Sequence, residues 1–171
     1  MSRKKSYILP GFIFIIFSFY TVYYIRNEFN GDYIYFLTIL LICICTDIGG
    51  YVFGKIFKGP KLTKISPRKT YSGAIGGYLL SIIFLNIFYL SPYVYAKPTE
   101  LTSDILIFIL LVSTVSQLGD IVISYFKRLS KIKDTGKIIP GHGGLLDRVD
   151  GMIFAFPFYY LILEMNLIKF F

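Results

Sequence analysis

Long apolar runs separated by short polar connections dominate the chain. Five of them come close to the roughly 20 residues that a helix needs to cross a bilayer, so each predicts one spanning helix. The fifth is the weakest because Pro157 and Glu164 interrupt it, although neighbouring helices can satisfy a backbone group that proline leaves free. The predicted spans are residues 7–25, 33–57, 71–96, 104–126 and 152–168.

Two of these helices carry a line of polar side chains along one face. On the second, Asp47, Tyr51 and Lys55 follow at steps of four. On the fourth, the polar residues are spaced by four, three, four and three, which again selects one face of a helix. That second line consists of Ser113, Gln117, Asp120, Ser124 and Lys127. We expect the two polar lines to face each other inside the bundle.

The aspartates in these lines are costly to place in a membrane. A lone charge at the centre of a span costs at least about 2.5–3.5 kcal/mol, so an ionisable residue there indicates a functional site. Asp120 lies seven residues before Lys127 and Asp47 eleven before Lys58, or about 10 and 16 Å at 1.5 Å per residue. Both carboxylates are therefore expected in the half of the bilayer that borders the basic loops.

Composition supports a membrane protein and argues against other classes. Hydrophobic residues make up 55% of the 171 and the mean hydropathy is +0.64, which excludes an ordinary soluble domain. The net charge of +8 could indicate nucleic-acid binding. However, the basic residues lie in short loops beside apolar runs, where membrane topology explains them first, and no nucleic-acid partner is expected.

Loop charges orient the predicted bundle. The N-terminal tail carries three basic residues, loop 58–70 carries five and loop 127–150 carries six against three acids, whereas connections 26–32 and 97–104 each sum to −1. Basic loops stay in the cytoplasm, so these three segments are predicted to face it. We expect one multi-pass integral domain, residues 1–171, in a bacterial inner membrane, with its active site facing the cytoplasm.

The last long loop, "KDTGKIIPGHGGLLDRVDG", is too rich in glycine and charge for a passive connector. It brings Asp147 and Asp150 towards Asp47 and Asp120, and the two would share a helix face if "LLDRVDG" begins the fifth helix. Clustered carboxylates stay ionised only beside cations, and oxygen ligands suit Mg²⁺. Mg²⁺ is therefore the expected cofactor, a second cation is left open, and the glycines would let backbone N–H groups approach an anion.

The single histidine does not identify its own role. His142 is open to interpretation as a metal ligand, general base, phosphate donor or loop support, of which we favour the last two. The basic loop 58–70 precedes a glycine-rich helix start, which also attracts phosphate. The pattern indicates a phosphorylated substrate that meets a membrane-embedded one.

Two quoted stretches resemble the phosphatidate cytidylyltransferases, also called CDP-diglyceride synthetases. The first, "SYFKRLSKIKDTGKIIPGHGGLLDRVD" (residues 124–150), matches the family's C-terminal signature throughout, and the second is "CTDIGGYVFGKIFKGPKLTKISPRKTYSGAIGG". Two positions depart from the family pattern: Gly50 replaces a small alanine, and Ser72 stands where the family generally has glutamate. The resemblance implies a short form of an all-α membrane bundle whose catalytic part spans about residues 47–151.

The resemblance also implies an activity and a set of site residues. The family transfers CMP from CTP to phosphatidate, a membrane lipid, giving CDP-diacylglycerol and pyrophosphate with Mg²⁺; a homodimer is left open. Metal ligands would be Asp120 and Asp147, completed by Asp150 and Asp47. Phosphates would be bound by Lys127, Arg128, Lys133, His142 and Arg148, and further substrate contacts would come from Ser66, Lys69, Thr70, Ser124, Gly143 and Gly144.

Three alternatives remain open from the sequence. One is a CTP-dependent enzyme that acts on another lipid, such as a polyprenol or an ether lipid. Another is a cation or proton transporter that uses Asp47 and Asp120 as a relay, although the conspicuous HGG-x-x-DR-x-D stretch counts against it. The third is an inactive relative kept for assembly, which Ser72 and the short N-terminus would fit.

Overall fold

The fold is a bundle of helices. The computed structural model describes residues 8–27, 33–63, 65–66, 69–91, 102–132, 135–136, 144 and 146–165. The helices are α1 (Ile8–Asn27), α2 (Ile34–Phe57), α3 (Tyr71–Leu90), α4 (Ser103–Leu129), α5 (Leu146–Val149) and α6 (Met152–Glu164). Within the described residues, extended pairing is limited to an isolated antiparallel bridge between Lys61 and Thr70.

The predicted fold class, an all-α integral membrane protein, is confirmed. Helices α1 to α4 are each long and apolar enough to cross a membrane. Helix α6 is shorter: its 13 residues reach about 20 Å at 1.5 Å per residue, against about 30 Å for a hydrocarbon core. The predicted fifth span is thus seen only to Glu164, and its last residues lie outside the described part of the chain.

Two other predicted boundaries differ. Helix α3 ends at Leu90 rather than residue 96, and residues 92–96 lie outside the described part of the chain. The stretch "LLDRVDG" does not begin one continuous helix, because α5 ends at Val149 and α6 starts at Met152. Asp150 lies in the turn between them, where its Oδ1 accepts from the N–H of Gly151 at 3.0 Å, a local bond that competes with helical pairing.

Helices α2 and α3 cross at very close range. A Cβ on Gly49 would lie 2.4 Å from the carbonyl oxygen of Gly76, and one on Gly73 would lie 2.6 Å from that of Gly50. Small residues allow such close contact between membrane helices. The crossing places Asp47 of α2 near the N-terminal end of α3, where Thr70 Oγ1 caps the helix by accepting from Gly73 N at 3.1 Å.

Buried hydroxyl groups fasten α2, α3 and α4 to one another. Thr46 Oγ1 lies 2.9 Å from Ser81 Oγ and 2.8 Å from Ser113 Oγ, and all three side chains are buried. Interhelical hydrogen bonds of this kind help membrane helices associate. Nearer the start of α4, Phe108 packs edge-on against Tyr159 of α6 at 5.3 Å between ring centroids. These contacts fix the relative positions of α2, α3, α4 and α6.

Candidate functional site

A cavity of about 370 Å³ lies where the polar lines of α2 and α4 meet the polar connections. Its wall is completed by the α2–α3 loop (residues 58–70), the start of α3, and α5 with the turn after it. Eight residues predicted from the sequence line this single space. They are Asp47, Ser66, Lys69, Thr70, Asp120, Lys127, Asp147 and Asp150.

Asp120 is paired with a lysine from the α2–α3 loop. Lys69 Nζ forms an ion pair with Asp120 Oδ2 and also lies 3.4 Å from the carbonyl oxygen of Gln117. The loop backbone supports Lys69, since its N–H donates to Ser66 O at 3.0 Å and its carbonyl accepts from Leu62 N at 2.8 Å. The loop thus positions the ammonium group of Lys69 beside Asp120 of α4.

Lys127 joins the end of α4 to the polar segment around α5. Its Nζ lies 2.9 Å from Asp147 Oδ1 and 3.6 Å from Asp150 Oδ2, and its side chain is only 13% exposed. At this burial a charge is stable only with close partners. Lys127 therefore fixes both aspartates of the "DRVD" stretch relative to α4.

Asp147 is held as an anion by several donors. Its Oδ2 accepts from the N–H groups of Thr135 and Gly144, both at 2.9 Å, while Oδ1 accepts from Lys127. Burial alone would raise the pKa of Asp147, but these hydrogen bonds outweigh it and bring the pKa down to about 2. A Cβ on Gly144 would lie 2.5 Å from Thr135 Oγ1, so glycine lets Thr135 and Gly144 approach each other beside this carboxylate.

Asp150 and Asp120 form a carboxylate pair. Asp150 is 6% exposed, and burial followed by the charge of Asp120 and a hydrogen bond between the two side chains raises the pKa of Asp150 to about 7. Two carboxylates this close share a proton or need a cation between them. Ser124, predicted to contact substrate, lies beside the pair, with its Oγ 3.4 Å from Asp120 Oδ1.

The carboxylate oxygens of this pair are suitable ligands for Mg²⁺, but they form only part of the predicted site. Asp120 and Asp150 offer oxygen ligands, and Mg²⁺ usually takes one or two protein carboxylates and leaves positions for phosphates. All four predicted metal aspartates line the cavity, but among the described side chains no group of three His, Cys, Asp or Glu residues is close enough to hold one metal ion together. Lys69 pairs with Asp120, Lys127 lies between Asp147 and Asp150, and both oxygens of Asp147 already accept hydrogen bonds.

Some predicted site residues are not brought to the cavity. Arg128 is exposed, its Nη1 lies 3.5 Å from the carbonyl oxygen of Ile132, and it does not line the cavity. Gly144 acts through its N–H on Asp147. The predictions for Lys133, His142 and Gly143, and for the side chain of Arg148, lie outside the described residues.

Other lining residues were not selected as site residues from the sequence. Gln117 and Tyr51 belong to the two polar lines, so their spacing was the available signal. Ser72 lies outside this lining: its Oγ donates to the carbonyl oxygen of Lys58 and lies 3.0 Å from Thr70 Oγ1, which fastens the α2–α3 loop. The remaining unselected lining residues are Thr46, Gly50, Leu62, Gly73 and Ala74.

Comparison with known proteins finds one family throughout the chain. The model of the cytidylyltransferase family matches residues 2–166. Proteins named phosphatidate cytidylyltransferase are 36% identical over 162 residues in Rickettsia typhi and 36% over 170 residues in Bacillus subtilis, covering 93% and 95% of this chain. A Staphylococcus epidermidis protein of the same name is 41% identical over 133 residues, 75% of the chain. The matches span 71%, 59% and 48% of those three relatives.

Proposed function

Because the chain belongs to the cytidylyltransferase family, we propose that it transfers CMP from CTP to phosphatidate, giving CDP-diacylglycerol and pyrophosphate. The observation that carries the proposal is the shared cavity. Side chains from two apolar helices, the α2–α3 loop and the "DRVD" stretch line it together, with four aspartates and two lysines. A lipid phosphate and a nucleotide triphosphate both need such a mixture of cations and metal-binding oxygens.

Lys69 and Lys127 are the proposed phosphate-binding cations. Both residues line the cavity, and the Nζ group of each forms an ion pair with a carboxylate that fixes its position. Lysine binds phosphate as a compact charge with three donors. The two lysines approach from different elements, so one can contact the phosphates of CTP while the other contacts the lipid phosphate.

The reaction needs charge neutralisation more than a base. A phosphate monoester has its second pKa near 6, so phosphatidate is already largely a dianion at neutral pH. Its phosphate oxygen attacks the α-phosphorus of CTP, a new P–O–P bond forms, and the bond to the leaving pyrophosphate breaks. Lys69 and Lys127 lower the repulsion between the two anions and stabilise the departing charge.

Mg²⁺ is the proposed cofactor, with Asp120 and Asp150 as the residues that would hold it. When bound, it would neutralise phosphate charge and favour the leaving of pyrophosphate. Asp147 would keep Lys127, Thr135 and Gly144 in place through its three hydrogen bonds. Asp47 of α2 also lines the cavity and adds negative charge there, and a second cation is left open.

We place the site at the cytoplasmic border of a bacterial inner membrane. Asp120 lies seven residues before Lys127 near the end of α4, about 10 Å along the helix. The loops beside the cavity are the basic ones, which stay in the cytoplasm. CTP can then enter from the cytoplasm while phosphatidate stays in the bilayer.

The test is a product assay with purified protein, radiolabelled CTP and Mg²⁺. Phosphatidate, its ether-linked analogue and a polyprenyl phosphate are supplied in parallel. Labelled CDP-diacylglycerol together with pyrophosphate supports the proposal. Product only with another lipid would change the acceptor, release of CDP would indicate a kinase, and no reaction with any lipid would contradict the proposal.

A further inference from the structure

We propose that Gly151 is a positioning residue for the reaction, because its missing side chain lets the start of α6 lie against α4 and keeps Asp150 beside Asp120. The proposal rests on the proposed function for its activity readout. The effect on metal binding and on stability can be measured without enzyme turnover.

Space, rather than backbone conformation, requires glycine at this position. Gly151 has φ −69° and ψ −40°, which any residue adopts readily. A Cβ there would lie 2.4 Å from Ser116 Oγ and 3.0 Å from the Ser116 carbonyl oxygen. Ser116 is fully buried on α4, so these atoms have little room to retreat.

A second contact of the same kind follows three residues later on both elements. A Cβ on Gly119 of α4 would lie 2.7 Å from Cδ2 of Phe154 on α6. The pairs Ser116–Gly151 and Gly119–Phe154 thus fix the separation of α4 and α6 at this level. Any change in that separation acts directly on the site.

The carboxylate pair is adjacent in sequence to both glycines. Asp120 directly follows Gly119, and Asp150 directly precedes Gly151. Asp150 is also tied to its neighbour, since Gly151 N donates to Asp150 Oδ1 at 3.0 Å. A methyl group at position 151 would need about 1 Å of extra space to reach ordinary van der Waals contact, and an error of that size in a site can cost roughly 100-fold in rate.

The test compares Gly151→Ala with the double variant Gly151→Ala/Ser116→Ala, which removes the nearest clashing atom. Ser116→Ala alone and Gly11→Ala are the controls, because a Cβ on Gly11 has no atom within 4 Å. Each protein is assayed for CMP transfer, for Mn²⁺ affinity by electron paramagnetic resonance, and for melting temperature. Mn²⁺ serves as the spectroscopic probe of the Mg²⁺ site.

We expect Gly151→Ala to lower kcat by roughly 100-fold and to weaken Mn²⁺ binding by about tenfold, with a smaller change in the KM for CTP. The double variant should recover most of the turnover and of the Mn²⁺ affinity, to the level of Ser116→Ala alone, and Gly11→Ala should match the wild type. Wild-type turnover and Mn²⁺ affinity in Gly151→Ala would overturn the proposal. A double variant that melts like the wild type yet stays impaired in both would also overturn it.

Two further outcomes separate the possible failures. If Gly151→Ala does not fold, the double variant alone tests the positioning role. Recovery of Mn²⁺ affinity and activity in the double variant supports this role, and failure to recover them refutes it. If Mn²⁺ affinity is lost and recovered as expected but the wild type makes no CDP-diacylglycerol, the positioning role stands. In that case the proposed function is what fails.

Discussion

Lys69 of the α2–α3 loop forms an ion pair with Asp120 of α4 and also lies 3.4 Å from the Gln117 carbonyl oxygen. The pair links the loop to the aspartate that we propose as a metal ligand. The ammonium group therefore occupies a position beside Asp120 where a divalent cation would also be attracted. Lys69 and the metal ion are expected to compete for this carboxylate, and a bound metal ion would free Lys69 to contact phosphate.

Lys69→Met should separate these two roles of the lysine. Without the competing ammonium group, half-saturation with Mn²⁺ in the absence of CTP should occur at a lower concentration, by about threefold or more. The KM for CTP should rise by about tenfold, because a phosphate contact is lost. Lys55→Met, an exposed lysine of α2 outside the cavity lining, is the matched control. Unchanged Mn²⁺ affinity together with unchanged KM would refute both roles.

Lys127→Met should destabilise the folded protein. It leaves Asp147 and Asp150 without their shared cation, and removing one partner of a buried pair costs about 3 kcal/mol or more. Unfolding in mixed micelles with increasing denaturing detergent measures the loss. In a double-mutant cycle, Asp147→Asn should cost less in the Lys127→Met background than in the wild type. Strictly additive effects would show that the two side chains are not coupled.

The low pKa of Asp147 predicts how its contribution to stability depends on pH. The pKa falls from 3.8 to about 2 on folding, so the ionised carboxylate stabilises the fold above about pH 4. This contribution is lost as the pH falls through 2. With a chelator present, the melting-temperature difference between wild type and Asp147→Asn should shrink as the pH falls from 5 to below about 4. A difference that grew on acidification would contradict the assignment.

Gly49→Ala should destabilise the α2–α3 crossing, while Gly50→Ala should not. A Cβ on Gly49 would lie 2.4 Å from Gly76 O and 2.9 Å from Gly77 Cα, both backbone atoms that cannot rotate away. Overpacking of this kind costs about 1–3 kcal/mol. A Cβ on Gly50 would lie 3.8 Å from Gly73 O, an ordinary contact. Equal melting temperatures for the two variants would mean that the crossing is looser than described.

The sequence was a good guide to the frame of the protein. Apolar runs fixed the starts of α2, α3 and α6 to within one residue, because loss of hydrophobic character marks where a helix leaves the membrane. The spacing of polar residues also placed Gln117, Asp120 and Lys127 on the cavity side of α4. The sequence did not predict that α6 would end at Glu164. The apolar run continues past this residue, whereas α6 has only 13 residues within the described part of the chain.

The sequence could not predict which charged residues form ion pairs with one another. The four aspartates were expected to gather around metal ions, but which lysine stands beside which carboxylate depends on how the α2–α3 loop folds back. Likewise, the role of Ser72 in fastening that loop follows only from its contact with Lys58 O. The spatial match between Gly151 and Ser116 arises from the packing of α6 on α4, which no local pattern encodes.

The most direct test of the central claim is CMP transfer from labelled CTP to phosphatidate by Asp120→Asn. Asp104→Asn, the same change at the far end of α4, is the control. If Asp120 helps to hold the metal ion at this site, its substitution should lower kcat by roughly 100-fold or more while the protein remains folded, and Asp104→Asn should act like the wild type. Full CDP-diacylglycerol synthesis by folded Asp120→Asn would contradict the account.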